Sequence, residues 1–293
     1  MDLFTISELA RFSGIKPHNI RMWERRYNAL NPARSEGNTR YYSNSHLRRL
    51  LNIVSLMDSE YKVSELCLMP DDKLFKLVSK LQADTTFEGE KYFVSQLITA
   101  GINFDELHFE KIFSHSLLRF GMKDAYIKVV YPMLIRIGLM WSDDTIPTAQ
   151  EHFISNLMRQ KLFSAIDSLP PARPDGETWI LFLPEDEFHE IGLLFAHYLI
   201  RLSGRKVFYL GSNVPVQSLV GAVKNTSASN LLFFLVHNDS KEELNKYLNE
   251  LNSHFTSKKI FVAGKSHFLN QLKKKKNIYW LNSVEDLEQQ LSA

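Results

Sequence analysis

Two groups of residues in this chain have types and spacings suited to chemistry. The first is Glu187-Phe188-His189-Glu190-Ile191-Gly192. In extended backbone, side chains two residues apart share a side, so Glu187 and His189 point the same way. The carboxylate can accept from one ring nitrogen and leave the other to a metal, while Gly192 lets the next helix approach closely. The competing reading is a surface histidine at a helix start, one of ten histidines in the chain. The second group is basic: nine Lys or Arg residues between Arg11 and Arg49 face two acids, Glu24 and Glu36, in a chain of formal net charge +2. Such a concentration is the electrostatic footprint of a surface for a polyanion.

The basic residues need a scaffold, and their surroundings predict one. Ser7 is a candidate cap for a short helix with Leu9 and Ala10, preceded by Ile6. Ser13-Gly14-Ile15 reads as a tight turn, and Pro17 as the start of a second helix over 16–27. That helix carries Lys16, His18, Asn19, Arg21, Arg25, Arg26 and Tyr27, with Ile20 and Trp23 as its inner side. This is helix-turn-helix geometry, and the outer face suits a major groove. Arg34, Arg40, Tyr41 and Tyr42 then fall on a Gly- and Asn-containing wing suited to phosphate contact, which fixes register without reading bases. A solvated basic helix face is the alternative.

The histidine site sits in a different frame. After Pro170-Pro171-Ala172-Arg173-Pro174 the chain alternates apolar runs and amphipathic helices, with strands predicted at 179–183, 207–210, 231–236, 260–263 and 278–281. Continuous apolar strands imply burial on both faces, hence a parallel sheet. Ligands of such sheets bind outside the carboxyl ends of the strands, here just after Leu183, Leu210, Val236 or Ala263. Upstream, helices are predicted over 87–100, 105–120, 123–140 and 148–169, with Tyr131, Leu134, Ile135 and Leu139 marking the inward face of the third. The expected fold class is therefore multidomain α and α/β. A winged helix-turn-helix (1–75) leads into a four-helix bundle (76–170) and a Rossmann-like, flavodoxin-like domain with five parallel strands (175–293).

Composition narrows the rest. With 44% apolar and 23% charged residues there is material for real cores, and disorder, collagen and coiled coil are excluded as global descriptions. A single cysteine, Cys67, excludes an intrachain disulfide and a cysteine-rich zinc site. No signal peptide or apolar run approaching the ~20 residues of a membrane span is present, so a cytoplasmic protein without membrane attachment is expected. No Ser-His-Asp arrangement, P-loop or zinc spacing stands out, and the cluster 273–276 reads as a solvated turn.

The segment FTISELARFSGIKPHNIRMWERRYNALNPARSEGNTRYYS resembles the winged helix-turn-helix of MerR-type transcription regulators. Their Arg-x-Trp-Glu-x-Arg-Tyr core falls on Arg21, Trp23, Glu24, Arg26 and Tyr27, and their wing pattern on Pro32, Arg34, Arg40 and Tyr42. The resemblance covers about 70 residues. It implies a dimer on double-stranded, pseudo-palindromic promoter DNA, acting on RNA polymerase indirectly, with Trp23 in the core and Glu24 orienting an arginine. The Glu-x-His-x-x-Gly segment, together with Tyr209-Leu210-Gly211-Ser212-Asn213-Val214-Pro215 and the preceding bundle, is similar to the cobalamin-binding module of corrinoid proteins. That likeness implies cobalamin, in its adenosyl or methyl form, with His189 as lower axial cobalt ligand, Glu187 behind it, and Gly211 lining the cleft for the nucleotide tail. Val214 and Gly264 belong to the same expected cofactor site. Trp141 followed after nine residues by Glu151-His152 matches the signature of CarH/LitR-type regulators, in which these side chains cap the upper face of the corrin. For Trp141 the alternative is ordinary bundle core.

The sequence also departs from these patterns. Where cobalamin modules carry Ser-x-Leu and Gly-Gly, this chain has Leu235-Val236-His237-Asn238 and Ala263-Gly264-Lys265, which narrows or removes the room for the tail. Photoreceptor members have a histidine after the upper tryptophan; here it is Ser142. Two functions are therefore weighed: a regulator in which cobalamin controls assembly, as a dimer or tetramer, and promoter binding; and a regulator whose degenerate C-terminal domain binds no cobalamin and senses a protein partner or another ligand. A corrinoid enzyme or methyl carrier, the third class, lacks a substrate-activating domain, so no enzymatic activity is expected.

Overall fold

The computed structural model describes residues 4–34, 38–83, 89–142, 147–174, 176–235, 241–264 and 276–292. The chain divides into two compact units, Met1–Ser155 and Asn156–Ala293.

In the first unit, α1 (Ile6–Ser13) and α2 (Pro17–Tyr27) form the helix-turn-helix, and β1 (Ala33–Arg34) pairs antiparallel with β2 (Arg40–Tyr41) as the wing. Thr5, not Ser7, caps α1: its hydroxyl accepts from the Glu8 amide while the Glu8 carboxylate takes the Thr5 amide, a reciprocal pair that Ser7 cannot make from inside the first turn. Gly14 closes the helix at φ 71°, a conformation that favours glycine, and the Arg136 guanidinium lies 2.7 Å from where a Cβ would be, so a side chain there would displace it. α3 (Asn44–Leu56), α4 (Val63–Leu68) and α5 (Asp71–Ala83) follow. Leu47, Leu50, Leu51, Ile53 and Val54 of α3 are buried, and this helix packs on α6 (Glu90–Ile102) of the bundle.

A buried polar seam joins α3 to the bundle. Ser55 shares a 2.7 Å hydrogen bond with Ser95, and the Gln96 amide donates to the Ser55 hydroxyl at 2.8 Å. His108, on α7 (Glu106–Ala125), meets the Gln96 carbonyl oxygen at 3.1 Å. Burial pushes the His108 imidazole below its usual pKa, so it stays neutral in the seam. Arg136 adds a second link, donating at 3.5 Å to the Ser13 carbonyl at the end of α1.

The predicted break between the second and third bundle helices appears as a kink at Gly121 (φ 71°) inside α7, followed by a π-turn, Tyr126–Val130, and then α8 (Tyr131–Ser142). The expected inward face of α8 is corrected. Tyr131, Ile135 and Leu139 are 54%, 45% and 52% exposed, whereas Val129, Val130, Met133 and Ile137 are buried. Both stripes are apolar at helical spacing, and the π-turn displaces the register by which the inner one would be chosen. α9 (Thr148–Asp167) supplies its first residues to this unit, where Ile154 fills the space left by Gly101 of α6.

The second unit is a five-stranded sheet of β3 (Thr178–Phe182), β4 (Lys206–Gly211), β5 (Asn230–Leu235), β6 (Lys259–Gly264) and β7 (Ile278–Leu281), in the order β4-β3-β5-β6-β7 with every pair parallel. Helices α10 (Glu190–Leu202), α11 (Val216–Thr226), α12 (Lys241–His254) and α13 (Val284–Ser292) complete it. The order reverses between β3 and β5, so the crevice of this doubly wound sheet opens at the carboxyl end of β3, where the Glu187–His189 loop begins. Phe182, Phe233, Leu231, Val262 and Ile260 form one continuous core with Leu219, Leu244 and Leu248 of α11 and α12. Among the described residues no helix is long and apolar enough to cross a membrane.

Candidate functional sites

The basic surface is built on α2. Lys16, His18, Arg21, Arg25 and Arg26 are exposed, Asn19 and Tyr27 are half-buried, and Ile20 and Trp23 are buried against the unit. His18, Arg21 and Arg25 repeat at three- and four-residue spacing and so share one face, and His18, Met22, Arg25 and Arg26 line a shallow surface depression. Arg34 is exposed on β1 and is bonded to the Asn38 carbonyl oxygen.

The paired tyrosines of the wing part company. Tyr41 is half-buried, but Tyr42 is 0% exposed, so its assignment to the DNA-contacting set is corrected. Its hydroxyl donates to Glu24 Oε1 at 2.6 Å, and its backbone pairs in both directions with Phe4. Successive strand residues face opposite ways, and Tyr42 takes the inner side. Burial and the Glu24 carboxylate push its phenol far above the usual tyrosine range, which keeps it a donor. The other oxygen of Glu24 pairs with Arg40 Nε at 3.2 Å, so Tyr42 and Glu24 together aim Arg40 from beneath the wing. This matches the orienting role the MerR-type resemblance implies for Glu24.

At the carboxyl end of β3 the chain turns through Asp186, whose φ is 62°, and its amide donates to the Asn213 side chain at 3.2 Å. Glu187 follows, only 4% exposed. One oxygen, Oε1, collects the amides of Phe188 (2.9 Å) and His189 (3.0 Å) and His189 Nδ1 (2.6 Å). The His189 side chain is 49% exposed and stands at the N-cap of α10. In the neutral ring, donation from Nδ1 to the carboxylate selects the tautomer with its lone pair on Nε2. The pairing arises from a tight turn rather than from extended backbone. The histidine stands at a helix start, as the surface-histidine reading has it, but the buried carboxylate is what a plain surface histidine does not need.

The neighbouring glycines have protein neighbours. A Cβ on Gly192 would lie 2.9 Å from the Phe234 ring, so this glycine brings α10 close to β5 as expected. A Cβ on Gly211 (φ 79°) would lie 3.2 Å from Glu190 Oε1, and one on Gly264 would lie 2.2 Å from the Leu235 carbonyl oxygen. Val214 is buried in the sheet core, its amide on the Leu183 carbonyl at 3.0 Å. Gly211, expected to line a cleft for a nucleotide tail, and Val214 and Gly264, expected in the same cofactor site, are thus used by the chain's own packing. Residues 236–240 and 265–275, including His237, Asn238, Lys265 and most of the 273–276 cluster, lie outside the described residues.

In the bundle, Glu151 accepts from Ser155 and from His152 Nδ1, the latter at 2.7 Å, and the His152 side chain is 67% exposed. Trp141 and Ser142 fall on the last turn of α8, and their side chains lie outside the described part. Sequence reasoning did not single out Tyr209, Glu190 and Arg159. Glu190 Oε1 accepts from the Tyr209 hydroxyl at 3.2 Å, and Glu190 Oε2 pairs with Arg159 at 3.5 Å. The only sequence signal was an acid directly after the histidine.

Fold and sites together define a class: a winged helix-turn-helix DNA reader, a helical layer and a doubly wound parallel domain. Residues 4–67 match the MerR HTH family regulatory proteins, and residues 93–164 match the B12 binding domain, so the chain carries both kinds of module. It is similar to the HTH-type transcriptional repressor CarH of Myxococcus xanthus, 29% identical over 229 residues, covering 75% of this chain and 74% of that protein. It is also similar to the repressor CarA of the same organism, 28% identical over 219 residues, covering 74% and 71%. Among solved structures, the monomethylamine corrinoid protein of Methanosarcina barkeri shares the fold, with a TM-score of 0.56 at 15% identity over 70% of this chain and 99% of that one.

Proposed function

We propose that the chain is a B12-responsive transcription regulator without enzymatic activity. α2 enters the major groove of double-stranded promoter DNA through His18, Arg21 and Arg25, while Lys16, Asn19, Arg26, Tyr27, Arg34, Arg40 and Tyr41 support it or touch phosphates, and Tyr42 acts from below. His189 would hold the cobalt of cobalamin, with Glu187 fixing its tautomer. Trp141, Glu151 and His152 are further cofactor-binding residues by the CarH/LitR-type resemblance. The observation that carries this reading is the buried Glu187 carboxylate holding the half-exposed His189 ring by Nδ1 at 2.6 Å. Among the described residues no three His, Cys, Asp or Glu side chains cluster to hold a metal ion, and a lone imidazole suits a metal whose other ligands come with it. The donor set therefore fits a corrin cobalt. When bound, cobalamin supplies an exchangeable upper ligand, and ligation alters subunit association and promoter affinity through differential binding to one assembly state. The regulator works as a dimer or tetramer and reaches RNA polymerase indirectly through the promoter.

A second reading, a domain free of cobalamin that senses a protein partner or another ligand, is favoured by Gly211, Val214 and Gly264 being filled by the chain itself. One experiment separates the two. The protein is mixed with hydroxocobalamin, methylcobalamin or adenosylcobalamin and desalted. A retained corrin spectrum that is lost in His189→Ala supports the first reading, and a colourless protein from all three forms selects the second.

A further inference from the structure

Directly after His189, Glu190 opens α10, and its carboxylate is gripped from two elements. The Tyr209 hydroxyl on β4 donates to Oε1 at 3.2 Å, and Arg159 on α9 pairs with Oε2 at 3.5 Å. The post that holds it is itself rigid. The Tyr209 ring lies flat on His197 of α10, with centroids 5.4 Å apart and planes 12° from parallel, and meets the edge of Phe163 of α9 at 6.2 Å. Burial and the adjacent Glu190 charge push the Tyr209 phenol far above its usual range, so it stays a donor. Gly211, two residues on, is what leaves room for this carboxylate: a Cβ there would press on Glu190 Oε1 at 3.2 Å.

We propose that Glu190 is a positioning residue for His189, clamped by Tyr209 and Arg159 so that the first turn of α10 presents the imidazole in one direction. Glu187 sets which nitrogen carries the proton; Glu190 sets where the ring stands. A flexible N-cap histidine would lose orientational freedom on ligation, and an anchored first turn removes that cost in advance. The proposal rests on the reading of His189 as a cobalt ligand.

The test uses the full chain, labelled with ¹⁵N-histidine, loaded with hydroxocobalamin and reduced to Co(II). Electron paramagnetic resonance then counts the fraction of cobalt showing ¹⁵N splitting from histidine, in wild type, Tyr209→Phe and Glu190→Gln. Tyr209→Phe keeps both ring contacts and so retains the fold. The expected result is an equilibrium for histidine ligation about 10-fold weaker in Tyr209→Phe, the usual scale for losing a group behind a metal ligand. Glu190→Gln, which can still accept from Tyr209 but loses the Arg159 charge pair, falls between. Amide exchange without cobalamin is the second readout, with Glu190 and Ile191 exchanging faster in Tyr209→Phe. A histidine signal that is equal in all three proteins, or amide exchange that does not change, overturns the clamp alone. No ¹⁵N splitting in wild type, or splitting that survives His189→Ala, overturns the ligand reading and the clamp with it.

Discussion

Lowering the pH should weaken the second unit through His197. This imidazole is buried on α10 against the Tyr209 ring, with Arg201 one turn away, and both burial and that charge hold its pKa at about 4 against an ordinary 6.5. In the folded chain it therefore refuses a proton that the unfolded chain accepts once the pH drops below 6.5. Its contribution to stability is intact above that value and drains away as the pH falls towards 4. A gap of roughly 2.5 pH units, at about 1.4 kcal/mol for each, gives about 3 kcal/mol lost between pH 7 and pH 4. Urea unfolding at both pH values, in wild type and in His197→Phe, measures it. Phenylalanine preserves the stack on Tyr209 and carries no ring nitrogen, so the variant should lose about 3 kcal/mol less over the interval. His108 and His115 are also pushed down by burial, but they are common to both proteins and cancel. An equal acid loss in the two proteins would refute the argument.

Tyr42→Phe removes the 2.6 Å hydrogen bond to Glu24, a contact with a carboxylate that is 7% exposed. It should cost about 1.5–3 kcal/mol in chemical denaturation and weaken promoter binding by releasing Arg40; an unchanged midpoint would mean that the carboxylate is satisfied without it. Arg21→Ala on the exposed face of α2 should lower the slope of log affinity against log salt by about 1, and binding that is insensitive to salt would sink the groove assignment. Gly264→Ala drives a methyl group to 2.2 Å from the Leu235 carbonyl, so β5 and β6 must part. A loss near the top of about 1–3 kcal/mol is expected in thermal unfolding, and a neutral result would show that the strand ends are not packed as described.

Strands were legible because apolar runs bounded by turn residues have few alternatives. The run ending at Leu183 is β3, the one beginning at Leu231 is β5, and each boundary falls within a residue or so of the periodicity. The helix-turn-helix was legible because Gly14, Pro17 and the Ile20/Trp23 inner side all demand the same geometry. The inward face of α8 was not, since Tyr131, Ile135 and Leu139 are as apolar as Met133 and Ile137, and only tertiary packing chooses between them. The Glu187–His189 pair was visible in the spacing, although a turn rather than a strand brings the side chains together. Tyr209 and Arg159 could not have been paired with Glu190 from sequence, because the three come from separate elements and meet only once β4, α9 and α10 are in place. Gly211 illustrates the same limit: glycine announces that space is needed, not what will occupy it.

The hydroxyls of Ser55 and Ser95, the Gln96 amide and the reach of Arg136 to the end of α1 leave no slack between the operator-reading helices and the layer they rest on. A hinge at that junction would strand several polar atoms away from water, at about 1–3 kcal/mol for each. The reader is therefore welded to its platform rather than tethered to it. Whatever tilts the platform swings α2 by the same angle, with no pliant leash between them to absorb the motion.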